Sequence, residues 1–246
     1  MGHPRLQVAT PETLAETFAG EFAAAADQAL ARNGGRCVIA IPGGSVAERF
    51  LPRLAMVRRP WNVVDVFWCD ERAVPAIDPA SNAGLAARLL AGTPAAGAVR
   101  HLMPADASNL GAAAEQYAAE LALALGEEGR LDLALLGVGE DGHVASLFPG
   151  HSALSETRKM VLPIFNSPKP PRRRMTLTLP VLVGARRVVV AAFGASKAEA
   201  IRDAVSGVGK TPVARIVANA ERVVLLLDQG AASLLHGRGP NDGRVE

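Results

Sequence analysis

The stretch LDLALLGVGEDGHVASLFPGH, residues 131–151, decides the fold. Its opening, LDLALL, is a short apolar run that reads as a buried strand. The run passes straight into a loop in which Gly137, Gly139 and Gly142 surround two acids, Glu140 and Asp141, and one histidine, His143. A strand ending in a glycine-rich loop with a histidine at its tip is where an open α/β sheet places its chemistry, outside the carboxyl ends of the strands. Histidine is the side chain whose ordinary pKa lies nearest neutral pH, which makes His143 the first candidate for proton transfer. A lone loop histidine more often satisfies a turn, so the chemical reading depends on partners from other loops.

Outward from this stretch, strand-like and helix-like segments alternate. TPETLAETFAGEFAAAADQALARNGG predicts a long helix capped by Thr10 before Pro11 and closing at Gly34. RCVIAI is strand-like, PGGS follows, and VAERFLPRLAMV is helical. VVDVFWCD is the next strand, and DPASNAGLAARLLAG reads as a helix with Asp78 as its N-cap and Pro79 in first position. The helical NLGAAAEQYAAELALALG precedes LDLALL. A strand pair around MTLTL and RRVVVAAF, the helix SKAEAIRDAV and a final strand RVVLLL complete the pattern. Continuous apolar strands alternating with amphipathic helices predict a mainly parallel, doubly wound (Rossmann-like) sheet in a three-layer α/β/α sandwich. Strand signals resume directly after the proline-rich NSPKPPRRR (166–174), which therefore reads as a loop, and residues 1–246 as a single domain.

Composition limits the function classes. The 246 residues are 49% apolar and 20% charged, as in a globular protein with a full core. A net charge of +2 argues against nucleic-acid partners and anionic membranes. Arg172, Arg173 and Arg174 stand alone, without interleaved aromatics. No run reaches the ~18 apolar residues of a membrane span, and the N-terminus lacks the layout of a signal peptide. Cys37 and Cys69 read as free thiols of a reducing compartment. A cytoplasmic protein acting on a small molecule is expected, as a monomer or weak homodimer. The histidines His3, His101, His143, His151 and His236 show no metal-ligand spacing, so no metal is expected. G-x-S-x-G is also missing, which removes the serine-hydrolase reading.

Three further loops follow strands. Pro42-Gly43-Gly44-Ser45 opens a helix, and its backbone N–H groups offer an anion site; Ser45 with Glu48 equally fits a capping box. Asp70-Glu71-Arg72 could hold a hydroxylated, anionic ligand or form a surface ion pair. Lys197, in the first turn of a helix, is disfavoured by the helix dipole unless an anion faces it; a solvated lysine is the plainer reading.

Together, PGGS (42–45), DERAVPAIDPASNAGLAARLL (70–90), GVGEDGHVASLFPGH (137–151) and PPRRRMTLTLPVL (170–182) resemble the 6-phosphogluconolactonase family. That family sits within the wider group of glucosamine-6-phosphate deaminases and ribose-5-phosphate isomerases. GASKAEA (194–200) is a less specific match. The resemblance implies hydrolysis of 6-phosphogluconolactone to 6-phosphogluconate in the pentose phosphate pathway, without metal or organic cofactor. It implies His143 as general base, Asp141 as the residue fixing its tautomer, and Asp70 and Arg72 orienting the sugar and stabilising negative charge. Gly43, Gly44, Ser45, Arg88, Arg174 and Lys197 would gather the phosphate, the three cations unranked. The alternatives are a deaminase or isomerase on the same scaffold and a non-catalytic sugar-phosphate sensor. The first lacks its glutamate five residues beyond the histidine, where this chain has Phe148; the second is expected to lose Asp70, Arg72 and His143, all of which stand here.

Overall fold

A computed structural model describes residues 4–32, 35–207 and 209–235. The elements run β1 (Arg5–Val8), α1 (Pro11–Leu30), β2 (Cys37–Ile41), α2 (Gly44–Leu54), β3 (Val64–Trp68), β4 (Asp70–Arg72), α3 (Asn82–Leu90), β5 (Val99–His101), α4 (Leu110–Leu125) and β6 (Leu133–Gly137). They continue through β7 (Val161–Ile164), β8 (Arg174–Leu177), α5 (Leu179–Val183), β9 (Val188–Ala192), α6 (Ala198–Ser206), α7 (Pro212–Asn219) and β10 (Val223–Leu227).

Seven strands form one parallel sheet in the order β1-β10-β9-β6-β2-β3-β5. Every residue of β2, β3, β9 and β10 is buried. That is possible only where helices cover both faces, and it explains why these strands read as unbroken apolar runs. From β2 the chain winds outward through β3 to β5; it then returns to the centre at β6 and winds the other way through β9 to β10. The winding therefore reverses between β2 and β6. The loops that leave these two adjacent strands are PGGS and GVGEDGH, the crevice where an open α/β sheet receives ligands.

A second sheet, antiparallel and in the order β4-β8-β7, differs from expectation. Asp70-Glu71-Arg72 is a strand of this sheet rather than a loop, with Asp70 opposite Thr176 and Arg72 opposite Arg174. The expected strand pair is not formed either, because MTLTL falls in the small sheet and RRVVVAAF in the large one. Alternation of apolar residues marks a strand but does not say which sheet it joins.

Helix starts show the same limit. Thr10 caps α1 as predicted, accepting from the Thr13 N–H; the helix ends at Leu30, and the expected closure at Gly34 lies outside the described residues. Asp78 does not cap α3. Its carboxylate accepts from the Ala80 N–H at 2.8 Å in a local turn, and the helix begins three residues later with Ser81 as its cap. Neither does the Ser45–Glu48 box form: α2 begins at Gly44, and no side chain caps it. β1, β5, β7 and α7 carry signals too short to stand out in the sequence.

Candidate active site

The loops at the switch point and the small sheet enclose a cavity of about 220 Å³. Its wall includes Gly43, Gly44, Ser45, Asp70, Arg72, Asn82, His143, Lys169, Arg174 and Lys197. Four cations thus face one acid, Asp70, in a chain that is almost neutral overall. A larger cavity of about 750 Å³ opens at the other end of the sheet, before β2 and β6. There Arg32 is paired with Asp132, Arg36 with Asp65 and Arg130 with Glu221, so the charges meet one another rather than a ligand.

His143 is held by its own loop. The Gly139 N–H donates to His143 O at 2.9 Å, and the Gly142 N–H donates to Gly139 O at 2.9 Å. Gly139 has to be glycine, because a Cβ there would fall on the imidazole and on the Asp141 carboxylate. Gly142 has φ of +79° and lies against Thr211. The Asp141 Oδ1 meets His143 Nδ1 at 2.5 Å, and the ring lies 4.6 Å, centroid to centroid, from buried Phe148. Burial lowers the His143 pKa below the ordinary imidazole value, against the pull of Asp141. Burial pushes Asp141 upward, but its bonds to His143 and the nearby Lys169 ammonium leave it below the ordinary carboxylate range. The pair is therefore a neutral imidazole beside a carboxylate, with Nδ1 engaged and Nε2 left to act.

Asp70 is anchored by neutral donors. Ser146 Oγ donates to its Oδ2 at 2.6 Å, Asn82 Nδ2 to its Oδ1 at 3.2 Å, and Arg174 Nη1 stands 3.9 Å away. Glu71, one residue on, points to the other side of the strand and accepts from the N–H groups of Arg72, Asn82 and Ala83 and from Ser81 Oγ. One strand thus presents Asp70 to the cavity and caps α3 with Glu71. Asn82 Nδ2 also donates to Asp70 O at 2.8 Å, and its side chain occupies the space that a Cβ on Gly43 would take. Asn82 Oδ1 and Arg72 Nε are buried in this wall without a hydrogen-bond partner among the described residues. Arg72 Nη1 donates to Ala80 O at 2.6 Å.

The three cations proposed for the phosphate are separated by the fold. Arg88 is exposed on α3 and is not among the residues that line the cavity. Arg174 lines it, but its N–H groups are largely committed: Nε to Pro171 O, Nη2 to Lys169 O and Pro170 O, and Nη1 to Ser146 Oγ. Lys197 lines the cavity at the start of α6 and has no ion-pair partner among the described residues. Lys169, Asn82 and Ser146 were not singled out from the sequence. Their approach depends on the hairpin of β7 and β8 and on the turn before α3.

Among the described residues, no group of three or more histidine, cysteine or acidic side chains is placed to hold a metal; His3 and His236 lie outside them. No helix there is long and apolar enough to cross a membrane.

Comparisons with known proteins agree with this architecture. Residues 9–225 match the family described as glucosamine-6-phosphate isomerases/6-phosphogluconolactonase. The chain is 38% identical over 240 residues to a 6-phosphogluconolactonase of Streptomyces coelicolor, covering 91% of each chain. It is 35% identical to the Bos taurus 6-phosphogluconolactonase over 92% of this chain and 91% of that one. The solved structure of 6-phosphogluconolactonase from Trypanosoma brucei superposes with a TM-score of 0.82 at 29% identity, over 96% of this chain and 100% of that one.

Proposed function

The chain belongs to the glucosamine-6-phosphate isomerase/6-phosphogluconolactonase family, and from that premise we propose that it hydrolyses 6-phosphogluconolactone to 6-phosphogluconate in the pentose phosphate pathway. The observation that carries the reading is the His143–Asp141 pair, set in a cationic cavity beside a helix N-terminus that no side chain caps.

In this reading water attacks the lactone carbonyl while His143 Nε2 takes its proton. The carbonyl becomes an oxyanion, stabilised by Arg72. Collapse then breaks the bond to the ring oxygen, which receives the proton back from Nε2, and an open-chain acid leaves. General-base help of this kind is worth about 10²–10⁴-fold, and one well-placed donor to the oxyanion about 10²–10³-fold. Asp70, fixed by Ser146 and Asn82, orients sugar hydroxyls. The phosphate is received by the backbone at Gly43 and Gly44, by Ser45, by Lys197 and by the remaining reach of Arg174 Nη1. Arg88 takes no part. Phe148 cannot move protons; its buried ring against His143 supports hydrolysis over deamination.

We further propose a cytoplasmic enzyme, monomeric or weakly dimeric, without nucleic-acid partners, in keeping with its near-neutral charge. The test follows acid release from freshly generated 6-phosphogluconolactone, corrected for spontaneous hydrolysis, with ammonia release from glucosamine 6-phosphate measured in parallel. Acid release well above the spontaneous rate is expected, with no ammonia. Ammonia release without lactone hydrolysis would overturn the reading.

A further inference from the structure

The segment NSPKPPRRR reads from sequence only as a loop, yet it carries Lys169 into the cavity wall. Its backbone is tied down there. Lys169 O accepts from Arg174 Nη2 at 3.1 Å and from the buried Ser167 Oγ at 2.7 Å, while the Lys169 N–H donates to Ser167 Oγ at 3.2 Å. From this anchored base the ammonium stands 3.4 Å from Glu140 Oε1 and 3.9 Å from Asp141 Oδ1. The second oxygen is the one that bonds His143 Nδ1.

We propose that Lys169 is a positioning residue for the His143–Asp141 pair, holding the carboxylate on Nδ1 and opposing a second positive charge on the imidazole. The inference rests on His143 being the base. A carboxylate beside an imidazole favours imidazolium, which cannot accept a proton from water. Asp141, Glu140 and, from β4, Asp70 all act in that direction. Arg174 stands over the Phe148 ring, 5.7 Å from its centroid, with Arg72 and Lys197 in the cavity wall. Lys169 is the cation in ion-pair contact with the carboxylate that touches the ring, so it is placed to cancel that bias where it is largest.

Lys169→Met, Lys169→Arg and His143→Gln test this together. Long-range ¹H–¹⁵N spectra of the imidazole nitrogens give the His143 titration and tautomer without reference to turnover. In Lys169→Met the titration should move to higher pH. The acidic limb of kcat/KM should move with it, so that activity on the limb falls about threefold to tenfold relative to the plateau, as one partly solvated charge a few ångströms away would give. Lys169→Arg should restore both. An unmoved titration in Lys169→Met overturns the inference, as does a uniform loss at every pH with the limb in place. Full activity in His143→Gln would instead reject His143 as the base, while the spectra would still show whether Lys169 governs the pair.

Discussion

At the residue scale, the site is one titrating side chain and the groups that keep it usable. Burial lowers the proton affinity of His143, so the neutral form required of a base persists through neutral pH. Activity should therefore fall only as pH drops through a value below the ordinary imidazole range. His143→Gln keeps much of the shape while removing proton transfer, and kcat should fall about 10²–10⁴-fold. KM should change far less, because the phosphate contacts lie on other residues. The acidic limb of kcat/KM should vanish from the residual activity. A variant within about threefold of the parent in kcat, far inside that range, would return His143 to the role of a turn residue.

At the element scale, two helix N-termini are treated in opposite ways. The first amides of α2 meet no side chain, whereas those of α3 are met by Ser81 and by Glu71 from a neighbouring strand. Glu71→Gln turns an NH₂ group toward donors that had a carboxylate. It should cost about 1–3 kcal/mol, seen as a melting temperature lower by several degrees; an unchanged value would mean that α3 is held by other contacts. The PGGS loop allows a sharper comparison. A Cβ on Gly43 would displace Asn82, and with it the brace on Asp70, so Gly43→Ala should cost roughly 10²-fold in kcat/KM. A Cβ on Gly44 meets nothing within 4 Å, but φ is +62°. Gly44→Ala should therefore show mainly a stability loss of about 1–2 kcal/mol. Equal kinetic damage from the two would contradict the crowding at Gly43.

At the scale of the whole molecule, the chemistry sits at one end of the sheet and the charged scaffolding at the other. Glu21 of α1 is buried and meets Arg187, which is 2% exposed, and also Arg5 and Arg222 near the starts of β1 and β10. One carboxylate thus joins a helix to three strands. Glu21→Ala would leave Arg187 buried with a backbone carbonyl and Gln28 as its remaining partners among the described residues, which should cost about 3–5 kcal/mol in urea unfolding. A loss under ~1 kcal/mol, the range of solvent-exposed pairs, would mean that water reaches this cluster. Because the described residues place no metal-ligand set in the cavity, turnover should also survive exhaustive EDTA and dipicolinate treatment; loss restored by zinc or magnesium would require a different mechanism.

The amino-acid sequence by itself determined the parallel, doubly wound architecture, since period and apolar continuity report burial strand by strand. It also determined the residues at the strand ends, Gly43 to Ser45, Asp70, Arg72, Asp141, His143 and Lys197, because the segments that follow buried strands collect at one rim. Tertiary structure alone decided which distant groups meet there. The second sheet, the bond of Ser146 to Asp70 and the arrival of Lys169 beside Asp141 all depend on contacts between segments far apart in the chain. Local patterning specifies how a segment is buried. Its partner is chosen by the packing of the whole chain, through hydrogen bonds and charges that no single window contains.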